Sequence, residues 1–144
     1  MYDRGMLSEA LEIDGLTALE ELVAGLDVAV DAAELARVFR LRDRLLAKAM
    51  APLRAFDELQ LYQLSKASST KRFLERAAGL SPGDAGSSVS MARKLASMPE
   101  TEARFVAGTF PSGHVRAIVA NVEARVAERY TASMRATSWR SCTR

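Results

Sequence analysis

Histidine, cysteine and tryptophan occur once each in the 144 residues, as His114, Cys142 and Trp139. One cysteine excludes an internal disulfide, and one cysteine with one histidine excludes a four-ligand zinc knuckle. No apolar run approaches the roughly 20 residues that span a bilayer, so no membrane partner is expected. The N-terminal MYDRGMLSEALEIDG has neither a basic head nor an apolar stretch. It therefore does not read as a secretory signal, and the expected location is cytoplasmic. No nucleophile motif or carboxylate pair in a suitable setting stands out. The string Gly79-Leu80-Ser81-Pro82-Gly83 is a helix start rather than a phosphate loop. No catalytic residue, cofactor or metal site is expected.

What is present is helix-forming. Aromatics make up only 6%, against 49% hydrophobic and 26% charged residues, and Ala, Leu, Arg and Glu are frequent. These side chains lose little rotamer freedom in a helix. The expected fold is an all-α single domain of five to six helices over residues 1–130, with an irregular tail over 131–144. The charge is polarised. Residues 1–34 hold nine acids against Arg4, residues 35–130 hold sixteen bases and nine acids, and the tail adds Arg135, Arg140 and Arg144. The formal charge of +2 depends on that tail, so only a local patch argues for a polyanionic partner.

The periodicity predicts helix from Leu16 to about Phe56, with Gly25 marking a bend or break. Leu35, Val38, Phe39, Leu45, Leu46, Ala49, Met50, Leu53 and Phe56 fall on one face. Pro52 predicts a kink or a new first turn near Ala51. Residues 57–68 read as loop with a short turn. A short helix follows, capped by Ser68 or Ser69 and ended by Gly79 in a left-handed conformation. The next starts with Ser81 as N-cap, Pro82 as first residue and Asp84 as reciprocal capping partner. A helix from Pro99 to Ala107 ends at Gly108. Ser112 is expected to cap a last helix carrying Val115, Ile118, Val119, Val122, Val126 and Tyr130. ERAAGLSPGDA and RFVAGTFPSGHV echo each other as two short-long helical hairpins, packed on the long N-terminal helices. The tail loses this periodicity and has the texture of a truncated or frame-shifted end.

Several residues are candidates for binding. Arg37, Arg40, Arg44 and Lys48 lie on one helix stripe. They form either a phosphate-contacting ridge or the solvated back of an amphipathic helix. Arg42 projects into the apolar face, where a buried guanidinium requires an acid such as Glu20, Glu21 or Asp27. The helices around Gly79-Leu80-Ser81 form either a helix-turn-helix, with Ser87, Ser90 and Lys94 towards a groove, or a structural hairpin. Lys71, Arg72 and Arg76 on the preceding helix favour the former; Asp84 and the small Ala85, Gly86 and Ser88 favour the latter. His114 has no ligand-spaced companion and is expected to cap or pack.

Residues 67–118 carry the order Ser69-Thr70, Phe73-Leu74, Gly79-Leu80-Ser81, Ala92-Arg93-Lys94-Leu95, Pro99, Ala107-Gly108, then Ser112 with His114. This run resembles the N-terminal helical region of the 13E12 repeat family, and the Leu-Arg-Asp-Arg-Leu-Leu helix at 41–46 extends the resemblance to roughly 20–130. The family typically places an HNH endonuclease module after this region. That centre needs a histidine base and further His or Asn metal ligands. With His114 alone, nuclease activity is not expected of this chain. The nuclease context of the family, together with the basic face of residues 37–48, suggests a non-catalytic, DNA-associated accessory domain, with Arg37, Arg40, Arg44, Lys48, Lys71, Arg72 and Arg76 as its candidate contacts. The alternatives are a protein-interaction domain, either a homodimer through its amphipathic helices or a complex with another protein, and a truncated relic.

Overall fold

The computed structural model describes residues 14–122. Every regular element among them is helical, as expected: α1 (Gly15–Ala24), α2 (Ala32–Glu58), a 3-10 turn (Leu61–Ser65), α3 (Thr70–Ala77), α4 (Pro82–Leu95) and α5 (Pro99–Ala107). A sixth helix, α6, runs over 112–122. Val126, Tyr130 and the expected tail at 131–144 lie outside the described residues. Among the described residues, 14–36 and 37–122 pack as separate units.

In the first unit, Gly25 ends α1, as its position suggested, donating its N–H to the Glu21 carbonyl at 3.2 Å. The Asp31 carboxylate caps the start of α2 by accepting from the N–H groups of Ala33 and Glu34 at 2.9 and 3.1 Å. Leu16, Leu22 and Val23 of α1 are exposed, at 60–72%.

The second unit has the core. Ala47 and Met50 of α2, Met91, Ala92 and Leu95 of α4, Phe105 of α5, and Val115 and Val119 of α6 are buried together. Leu46, Leu53, Met98, Val106 and Phe110 pack around them. Local signals position the hairpins. Ser69 Oγ accepts from the Arg72 N–H, and Gly79 turns left-handed at φ 66°. Ser81 Oγ accepts from the Asp84 N–H at 3.1 Å while its hydroxyl donates to the Asp84 carboxylate at 2.7 Å. Gly108, at φ 81°, ends α5.

Of the two outcomes expected at Pro52, a new first turn does not form; α2 is continuous from Ala32 to Glu58. Pro52 lies on the exposed side, so the Lys48 carbonyl that loses its donor is not shut away in the core. Ser112 is not a self-contained cap either. Its backbone N–H and its hydroxyl both donate to Asp43 of α2, each at 2.9 Å, so a carboxylate from another helix satisfies the start of α6.

Candidate interaction surfaces

The polar contacts that hold the hairpins on α2 account for several charges. Asp57 accepts from Arg93 Nε and Nη2 of α4, at 2.7 and 3.0 Å, and from the buried Thr70 hydroxyl of α3 at 2.7 Å. The Arg93 hydrogen bonds, with help from Thr70, outweigh burial and hold the Asp57 carboxyl below its ordinary value. The same pairing raises Arg93. Asp43 is also lowered. Burial pushes it up, but the Ser112 N–H and the Arg42 and Ser112 side chains together prevail. Half-buried Arg54 reaches the Ala92 carbonyl and the Glu102 carboxylate, tying α2 to α4 and α5.

Along α2, helical geometry separates two apolar sides. One carries Leu46, Ala47, Met50 and Leu53 into the core. The other, centred about 130° away, carries Val38, Leu41, Leu45, Ala49 and Pro52 at spacings of three and four. Leu41 and Leu45 are 49% and 53% exposed. Periodicity placed Leu45 and Leu46 on one face; the structure puts the first in solvent and the second against the core.

Arg37, Arg40, Arg44 and Lys48 share the solvent side of α2. Arg37, Arg44 and Lys48 edge the exposed seam, while the Arg44 stem lies within 3.0–3.4 Å of where a Cβ on Gly108 would stand. Arg42 edges the other side. Its expected burial against Glu20, Glu21 or Asp27 is not what forms: the side chain is 63% exposed and bonds its neighbour Asp43 at 3.0 Å. Its guanidinium stacks 5.0 Å from the centre of the Phe39 ring, itself 57% exposed.

Lys71 and Arg72, on α3, converge on Glu75, at 3.9 and 2.8 Å, whereas Arg76 lines a shallow pocket with Ser65, Ala67, Phe73 and Ala77. Ser87, Ser90 and Lys94 line shallow concavities of the protein's own surface, on the flanks of α4. His114 is exposed, with its ring 6.0 Å from Phe110. Sequence reasoning missed Arg116, which joins Ser87, Ser90 and Lys94 in one of these grooves, because nothing in the chain links positions 90 and 116 before α4 and α6 pack. Among the described residues no group of three or more His, Cys, Asp or Glu is placed to hold a metal. No described helix is long and apolar enough to cross a membrane.

No family model matches the chain, and neither a curated protein nor a solved structure does.

Proposed function

We propose that this chain is a non-catalytic self-association domain, in which the exposed seam of α2 receives α1 of a second copy. The observation that carries this reading is the exposed Leu41 and Leu45 at helical spacing, edged by Arg37, Arg44 and Lys48 on one side and Arg42 on the other. An apolar row at a helix surface gains from burial, at about 25 cal/mol per Å². Two copies of the seam would set like charges against each other. An acidic amphipathic helix fits instead. α1 has exposed Leu16, Leu22 and Val23 beside Glu20 and Glu21, and residues 14–36 hold six acids and no base. Reciprocal exchange gives a closed twofold dimer. On this reading the cations of residues 37–48 edge a protein interface rather than meet phosphate. Kinship with the 13E12 repeat family also stands as a proposal, supported by the ordered motifs of residues 67–118.

Sedimentation velocity of the full chain over a concentration series tests the reading. A discrete dimer that Leu45→Asp converts to monomer, with helicity unchanged, is expected. A monomer at every concentration contradicts it.

A further inference from the structure

The solvent side of α4 has an unusual composition. Its core side consists of Ala85, Ser88, Val89, Met91, Ala92 and Leu95, all buried. The opposite side consists of half-buried Gly86, Ser87, Ser90 and Lys94 with exposed Arg93, which are small, hydroxylated or cationic, while the exposed first turn carries Pro82, Gly83 and Asp84. Grooves lie along both flanks of this side and share Ser90 and Lys94 as their ridge. The groove towards α3, about 470 Å³, is lined by Ser69, Lys71 and Arg93. The groove towards α6 is lined by Ser87 and Arg116.

We infer that the α3–α4–α6 surface seats the sugar-phosphate backbone of a double-stranded nucleic acid. Cations stand on three neighbouring helices, Lys71, then Lys94, then Arg116. A row of cations across three helices suits a run of phosphates better than one isolated anion. Hydroxyls of Ser69, Ser87 and Ser90 lie between the cations, and phosphate oxygens accept readily from serine. Gly86 leaves room for the Lys71 side chain to lie across α4 and reach the groove beside Ser90. The aliphatic stem of Lys71 lies over Gly86, within 3.7–3.8 Å of where its Cβ would be.

The nearby acids are already engaged. Asp57 is bonded to Arg93, and Glu75 is paired with Lys71 and Arg72. Asp84 accepts from Ser81 and projects about 120° away from Ser90 around the α4 axis. Among the described residues no aromatic side chain lines either groove, which gives single strands no stacking platform there. The contacts are therefore to duplex backbone, with little reading of sequence.

Anisotropy of a labelled duplex DNA, titrated with the full chain, tests this inference. Saturable binding that weakens steeply between about 50 and 200 mM salt is expected. Lys94→Glu/Arg116→Glu weakens it by about tenfold or more, and the neutral Lys94→Gln/Arg116→Gln pair lowers the salt slope by about two. Circular dichroism checks that both variants remain helical. Arg37→Glu/Arg40→Glu/Arg44→Glu leaves affinity within about twofold, since those cations lie elsewhere. Absent binding overturns the inference. So does binding that survives reversal at Lys94 and Arg116, that depends on the α2 cations, or that prefers single strands. Leu45→Asp leaves binding intact, which separates this inference from the self-association reading.

Discussion

The carboxylate of Asp43, midway along α2, accepts both the backbone N–H and the hydroxyl of Ser112 at the start of α6. One side chain thus fixes the last described helix to the long one, 69 residues apart in sequence. A negative charge at a helix N-terminus also meets the positive end of the helix dipole. Asp43→Ala leaves these donors without a partner and should cost about 1–2 kcal/mol. Asp43→Asn retains an acceptor and should cost less. Urea unfolding followed by circular dichroism measures both.

Acid should weaken the fold through Asp43 and Asp57. Both carboxyls are held below their ordinary value in the folded chain. Their contribution is therefore present above the unfolded value, near pH 4, and is lost as pH falls through the lower folded values. Stability measured from about pH 5 down to 2 should decline, and Asp43→Asn/Asp57→Asn should flatten the decline. An unchanged acid profile in that variant would show that these two groups do not govern it.

Gly108 tests a backbone requirement combined with a close approach. At φ 81°, any Cβ is strained, and here it would also meet the Arg44 stem at 3.0 Å. Gly108→Ala should cost about 1–2 kcal/mol. Adding Arg44→Ala removes the clash but leaves the strain, so recovery should be partial. Thermal melts of the two variants distinguish these contributions.

Neighbouring leucines should behave oppositely. Leu45→Asp, in solvent, should leave the monomer fold within about 0.5 kcal/mol. Leu46→Asp sets a charge against Met50 and its neighbours and should cost about 2–4 kcal/mol. Equal destabilisation of both would mean that Leu45 is also a core residue.

That pair also marks how far the sequence could be read. Signals confined to a few residues carried through: the break at Gly25, the caps at Ser69 and Ser81, and the left-handed stops at Gly79 and Gly108 all depend on local backbone and side-chain chemistry. Period 3.6 showed that α2 is amphipathic but not which part of its apolar surface is covered, so Arg42 seemed buried. The Asp43–Ser112 cap and the Asp57–Thr70–Arg93 cluster join residues that only tertiary packing brings together. The same holds for the groove that pairs Lys94 with Arg116.

Reciprocal charge reversal tests the exchange of α1 onto α2 between copies most directly. Glu20→Lys/Glu21→Lys sets cations against the basic seam, while Arg44→Glu/Lys48→Glu sets acids against an acidic helix. Each variant alone should be monomeric by sedimentation velocity. An equimolar mixture should form a dimer containing one of each, because both exchanged interfaces are then of opposite charge. A mixture that stays monomeric while the unaltered chain dimerises would contradict the account.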